Sequence, residues 1–301
     1  MEYYELQLQA VAEVGMPIVL SALQHPASRL SRLDLRSCDD GSILSNSLLR
    51  ALAANTSVTD LGVPIRSASH LTDLIHGTPT FFQRLLILRL TIFTITEEEK
   101  NNIELMLAEV LTRPNSCVRF LDLSVSLKSR LVLGRRFWQT LQLNNASNNK
   151  NLLQALRLQN VIVHDIGTLQ LGGAGGLADY LRSPHCSLLW LDCRDPPPFD
   201  ESQEWELAES MVHNFSLCTC TMFLTWKNPA AKAKAMSVIR RNSLYKSGNL
   251  LQEPLVKPSV AKLFLCGHGE AGKSTLCQAL LSPSSMGPAY CGLLRKPISR
   301  T

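Results

Sequence analysis

Val118-Arg119-Phe120-Leu121-Asp122-Leu123 is the phrase on which the reading of the fold turns. Leu121 and Leu123 stand at alternate positions, as on the inward face of a short strand. The phrase recurs as Leu30-Ser31-Arg32-Leu33-Asp34-Leu35, Val58-Thr59-Asp60-Leu61-Gly62-Val63 and Leu85-Leu86-Ile87-Leu88-Arg89-Leu90. Further on come Leu153-Gln154-Ala155-Leu156-Arg157-Leu158, Leu188-Leu189-Trp190-Leu191-Asp192-Cys193 and, more weakly, Leu217-Cys218-Thr219-Cys220-Thr221-Met222. The central residues Leu33, Leu61, Leu88, Leu121, Leu156, Leu191 and Cys220 are 27 to 35 residues apart.

Working outward, the segments between phrases read as helices. Residues 47–53 form one. Residues 97–111 place Ile103, Leu107, Val110 and Leu111 on one face, with Thr96 as N-cap before three glutamates. Residues 201–212 place Trp205, Ala208 and Val212 at helical spacing. Polar turns such as Asn55-Thr56-Ser57, Pro114-Asn115-Ser116 and Asn214-Phe215-Ser216 lead from helix to strand. One strand and one helix per unit predict an α/β chain of the leucine-rich-repeat, ribonuclease-inhibitor-like kind over residues 25–228. The competing reading is an ordinary α/β domain with leucine-rich strands, against which the regular spacing is set. Residues 1–24, with Leu6, Leu8, Ala10, Val11, Val14 and Met16 on a broad apolar face, are expected to be a helical cap. Residues 229–257 are expected to hold a capping helix, seated by Ala235, Val238, Ile239 and Leu244, and then a linker.

A second motif lies near the C-terminus. Gly267-His268-Gly269-Glu270-Ala271-Gly272-Lys273-Ser274, followed by Thr275, fits G-x-x-x-x-G-K-[ST], the phosphate-binding loop of nucleotide triphosphatases. The glycines let backbone N–H groups approach phosphate oxygens. Lys273 supplies a point charge at the β/γ-phosphates, and the Ser274 hydroxyl suits Mg²⁺. Residues 260–266 read as a buried strand and residues 274–281 as the helix whose N-terminus faces the anion. The expected fold class is therefore a leucine-rich-repeat solenoid followed by the first strand, P-loop and helix of a P-loop NTPase, an incomplete domain over residues 258–301. No Walker B aspartate or N-K-x-D sequence follows Thr275. The loop is thus expected to cradle phosphates without organising hydrolysis, catalytic residues stay unassigned, and GTP and ATP both stay open. Residues 246–301 are expected to pack poorly apart from the loop and helix.

Leucine-rich phrases, an alanine-rich basic helix and then Leu263-Phe264-Leu265-Cys266-Gly267 running into the P-loop resemble the Roco family, nearest its plant TORNADO-like members. The resemblance implies a Roc GTPase domain and GTP–Mg²⁺ held by Gly267, Gly272, Lys273, Ser274 and Thr275. It implies that Thr301 matches a switch threonine that ligates Mg²⁺, and that the GTPase domain is truncated here. Protein partners are expected on the concave face of the repeats. The alternatives are a non-enzymatic scaffold with a vestigial P-loop, and a P-loop kinase or ATPase.

Composition narrows the classes. A net charge of +5 with scattered basic residues argues against nucleic acid, and Arg135-Arg136 and Arg240-Arg241 read as solvated faces. Nine cysteines without a C-x-x-C pair suit buried free thiols in a reducing compartment. His185, Cys186 and Cys193 have the wrong spacing for zinc. No apolar run reaches membrane-span length, and the N-terminus has no signal-peptide pattern, so a cytoplasmic location is expected.

Overall fold

The computed structural model describes residues 4–7, 15–37, 44–93, 96–113, 115–127, 129, 131–146, 153–163, 176–194 and 199–247. The chain divides into units 1–250 and 251–301, and every described residue lies in the first. In chain order the strands are β1 (Tyr4–Gln7), β2 (Leu30–Asp34), β3 (Asp60–Ile65), β4 (Ile87–Ile92), β5 (Phe120–Val125), β6 (Leu131–Leu133), β7 (Ala155–Gln159), β8 (Val161–Val163), β9 (Trp190–Arg194) and β10 (Thr219–Cys220). The helices are α1 (Gly15–Gln24), α2 (Asn46–Ala54), α3 (Ala68–Gly77), α4 (Glu97–Thr112), α5 (Arg135–Ala146), α6 (Leu177–Arg182), α7 (Glu201–Val212) and α8 (Pro229–Ser247).

The result is an α/β fold on an all-parallel sheet. Seven strands from β2 onward, joined at one edge by β1, lie in the order β1-β2-β3-β4-β5-β7-β9-β10. Strands β6 and β8 form a separate parallel pair. The expectation of a leucine-rich-repeat solenoid leading into a P-loop unit is corrected by this sheet. The reason is physical. A parallel strand needs alternate apolar residues wherever helices cover it, and each parallel crossover needs a helix-length connection. A leucine phrase every 27 to 35 residues is what strand–helix alternation produces in any parallel α/β domain, so the spacing did not discriminate between the two readings. Strand order runs consecutively across the sheet, so the described residues contain no reversal of order, the feature that opens a ligand crevice in doubly wound folds.

Register is uniform. Leu33 lies beside Leu61, then Leu88, Leu121, Leu156, Leu191 and Cys220. All are buried, and with the helix residues Leu52, Leu71, Leu107, Leu181 and Leu207 they form one continuous apolar cluster. Phe137, Trp138 and Tyr180 fill the space between α5 and α6, with Trp138 5.8 Å from Tyr180 and at right angles to Phe137 at 5.1 Å.

Local chemistry starts the helices where expected. Thr96 and Glu99 form a reciprocal capping box on α4, and Asp200 and Gln203 do the same on α7. Residues 1–24 are not a single helix: Tyr4–Gln7 pairs with β2 as an edge strand, and only Gly15–Gln24 is helical. The last phrase keeps only a two-residue strand.

Helix α8 closes that end of the sheet. Asn242 donates to the carbonyls of Asn214 and Leu217, and Ser243 to that of Cys218. Arg241 donates to Val212 and Asn214 and stacks on Phe215. Arg241 is therefore a structural clamp, whereas Arg135 and Arg136 are exposed as expected.

Two helix-to-strand turns share one device. Asn55 donates to the Leu23 carbonyl and accepts from Ser57 and Val58 backbone N–H groups. Asn214 donates to the Leu181 carbonyl and accepts from Ser216 and Leu217. Each ties one turn to the end of the preceding helix and is fully buried. Asn55→Ala and Asn214→Ala each strand buried donors and an acceptor, so each should lower unfolding free energy by about 2–3 kcal/mol in urea titration. Asn55→Asp should recover little, because a carboxylate cannot donate to Leu23.

Candidate interaction face of the sheet

The residues singled out in the P-loop motif, Gly267 to Thr275, and Thr301 all lie outside the described residues. So do the strand and helix expected on either side of the loop, and nearly all of the segment expected to pack poorly. The chemistry that the structure does display sits on the sheet.

Alternation leaves one face of each strand away from the leucine layer. On β4 and β7 burial alternates residue by residue. The residue following each central apolar residue points to that open face. Because register is uniform, these residues form a row: Asp34, Gly62, Arg89, Asp122, Arg157 and Asp192, with Thr221 at the end. Flanking rows bring Arg32, Asp60, Phe120 and Trp190 on one side and Arg36, Gln159 and Arg194 on the other.

The charges close into a ring. Arg32 lies 3.5 Å from Asp34, and Arg36 lies 2.8 Å from Asp34 and 3.4 Å from Asp122. Arg89 lies 3.7 Å from Asp122 and donates to both oxygens of Asp60 at 2.9 and 3.0 Å. Arg32, 3.5 Å from Asp60, completes the circuit. From Asp122 a branch continues through Arg157 (3.6 Å) to Asp192 (3.1 Å) and Arg194 (3.2 Å). Asp192 also accepts from the Thr221 hydroxyl at 2.8 Å.

Asp122 is the hub, meeting three guanidiniums. It is 3% exposed, as is Asp34, and Asp192 is 4% exposed. The carboxylates are buried by the arginines that bind them, and the arginine side chains keep more exposure, up to 54% at Arg194. Isolated surface pairs contribute about 0–1 kcal/mol. A hub buried among three cations is a different case, since deleting one member leaves uncompensated charge.

Gly62 has a definite reason to be glycine. A Cβ there would stand 2.4 Å from Asp34 Oδ1 and 3.2 Å from Arg36 Nε. Its missing side chain is the space in which the Asp34–Arg36 pair lies. Burial pushes the Asp34 carboxyl up, but hydrogen bonds from the Arg36 side chain and backbone, with the charges of Arg36 and Arg32, outweigh it. The group is held below its ordinary 3.8. The hydrogen bond to Asp34 raises Arg36 against the opposing effect of burial, and the one to Asp60 does the same for Arg89.

Aromatic rings adjoin the ring of charges. Phe120 and Trp190 lie 5.4 Å apart. Arg157 sits over Trp190 at 4.9 Å and Arg89 over Phe120 at 5.4 Å. Both aromatic residues remain half-buried. Arg66 stacks on Phe93 at 4.8 Å further along the same face.

Scattered basic residues, as the linear chain presents them, are thus gathered by the fold. The signal that finds them is simple: the residue after each central leucine is charged in five of seven phrases, with alternating sign from Arg89 to Asp192. Cys186, Cys193 and Cys220 are buried and free. Burial pushes Cys220 up to about 12 and Cys193 well above its ordinary range. Among the described residues no group of histidine, cysteine and carboxylate side chains is placed to hold a metal, and no helix is long and apolar enough to cross a membrane. Comparison with protein-family models and with curated proteins finds no match for this chain.

Two outcomes test the ring. Gly62→Ala should destabilise the protein by about 2 kcal/mol through forced displacement of Asp34. The same substitution in an Asp34→Ala background should cost much less, the non-additivity expected of groups in contact. Because the folded-state pKa of Asp34 is depressed, its stabilisation is fully present above the unfolded-state value and is lost as pH falls through the folded-state value. The Tm deficit of Asp34→Asn should therefore be largest above about pH 5 and shrink toward pH 2.

Proposed function

We propose that this chain is a signalling scaffold that holds a protein partner on the open face of its parallel sheet. The observation that carries this reading is the pairing of a pre-assembled arginine–aspartate network with half-buried Phe120 and Trp190 on one face of the sheet. Arginine and tryptophan are the residue types that concentrate binding energy at protein interfaces. The side chains are already held by their neighbours, so little further ordering is needed when a partner arrives. Charges paired within the face cost less to desolvate than unpaired ones.

A second reading rests on the motif Gly267–Ser274: this sequence binds a nucleoside triphosphate, GTP by the Roco resemblance, with Lys273 at the phosphates and Ser274 at Mg²⁺. In that reading the protein is a cytoplasmic, nucleotide-linked scaffold. Without it, the P-loop is vestigial and the scaffold stands alone.

Photo-crosslinkers placed at Thr91 or Gln159 should capture a polypeptide in cells, whereas one at Leu143, on the exposed side of α5, should not. Equal capture from both positions, or capture from Leu143 alone, would count against the sheet face. For the nucleotide, Lys273→Ala should weaken binding of a fluorescent GTP analogue with Mg²⁺ by at least about tenfold, as expected for losing charge-assisted bonds. Competition with ATP decides base preference, and an unchanged affinity removes the P-loop from the assignment.

A further inference from the structure

We infer that Ser243 is a phosphorylation site for a serine kinase that selects basic substrates, and that the phosphate releases the end of α8 from the sheet. The site is independent of the sheet face and of the P-loop motif.

The first observation is in the sequence. Arg240-Arg241-Asn242-Ser243-Leu244 places arginines three and two residues before a serine and an apolar residue after it. Kinases separate substrates by charge pattern. A cleft lined with carboxylates takes both guanidiniums from an extended chain and seats the hydroxyl beyond them.

The second observation is what the hydroxyl does. A serine inside a helix commonly bonds a carbonyl of its own preceding turn, as Ser237 does at Lys234. Ser243 instead donates at 2.8 Å to the Cys218 carbonyl, in the turn that leads into β10. It is half-buried there. Arg241 and Asn242 bond to the same turn, at Asn214 and Leu217. Three consecutive residues of the stretch a kinase would read are thus the ones that hold α8 down.

The third observation is how little else holds this end. The buried apolar residues of α8, Ala231, Ala235 and Val238, all precede the site, and the one buried residue beyond them is Asn242. Ser243 lies about one turn from the last helical residue, Ser247. Helix ends open at low free-energy cost. Opening residues 240–247 breaks polar bonds and leaves the apolar seat of the helix in place. It also presents Arg240, Arg241 and Ser243 as extended chain.

In the transfer, Ser243 Oγ attacks the γ-phosphorus of Mg²⁺-bound ATP held by the kinase. The Oγ–P bond forms as the bond from that phosphorus to the β,γ-bridging oxygen breaks, ADP leaves, and the hydroxyl proton passes to the kinase's catalytic aspartate. The product carries a charge of about −1.5 to −2 near the negative end of the helix dipole, where it destabilises the last turn. It no longer has a hydrogen to donate to Cys218. Arg241 pairs with a phosphate more strongly than with neutral carbonyls, so its clamp on Val212 and Asn214 opens as well.

The full chain, incubated with the catalytic subunit of a cyclic-AMP-dependent kinase and Mg²⁺–ATP and mapped by mass spectrometry, should acquire phosphate at Ser243. Arg240 is exposed, so Arg240→Ala should leave Tm unchanged and slow the reaction by at least about tenfold, the loss of a charge-assisted contact. Phe215→Ala removes the ring under Arg241 and should speed it about two- to fivefold, the worth of an exposed cation–π contact. In hydrogen exchange, residues 240–247 of the phosphorylated chain should lose protection while β4 and β5 keep theirs. No phosphate at Ser243 in the native chain or in Phe215→Ala overturns the site. Phosphate there at a rate indifferent to Arg240 overturns recognition by a kinase that selects basic substrates. Phosphate there with unchanged protection of residues 240–247 overturns the release of α8.

Discussion

A parallel strand covered by helices on one side can pack only alternate residues against them, and this chain meets that constraint with leucine at the same register position in strand after strand. The row from Leu33 to Leu191 is inaccessible to solvent. Its apolar burial is the main favourable contribution available to the domain. Everything on the opposite face follows from it. Once the leucines are aligned, the residues beside them are aligned too, about 4.8 Å apart across the sheet.

That inheritance explains the ion-pair ring. Arg32, Asp34, Arg36, Asp60, Arg89 and Asp122 come from four strands, and no two neighbouring strands contain the whole circuit. A slip of one residue in any strand would turn charged side chains into the leucine layer. The ring therefore raises the cost of wrong register while the leucines reward the right one. Gly62 shows how tightly the two are coupled: a backbone position in one strand is kept empty so that side chains from the strand beside it can lie across it.

The two ends of the sheet are managed differently. The short strand β10 meets α8, which satisfies the carbonyls of the last turn through Asn242 and Ser243. At the other end Tyr4–Gln7 adds a strand from residues whose apolar pattern suggested a helix. Leu6 and Leu8 by themselves have strand spacing while the wider apolar set has a helical face, and pairing against the backbone edge of β2 makes Tyr4–Gln7 a strand. Short apolar runs carry this ambiguity, because edge pairing is a tertiary event.

The strands of the leucine phrases, helices α2, α4, α7 and α8, the N-cap Thr96 and the asparagine turns were legible in the linear chain, because each depends on residues within a few positions of one another. The class of parallel fold was not, since leucine spacing reports the length of a strand–helix unit and leaves its assembly open. The P-loop pattern at Gly267–Ser274 is likewise local, and its chemistry is written in the residue types themselves. Only tertiary structure decided that arginines and aspartates about thirty residues apart are neighbours, that Asp122 lies beneath three guanidiniums, and that Phe120 and Trp190 share one surface. The physical reason is register: a single residue's shift in any strand reverses which side chains meet, and register is set by the packing of the whole sheet.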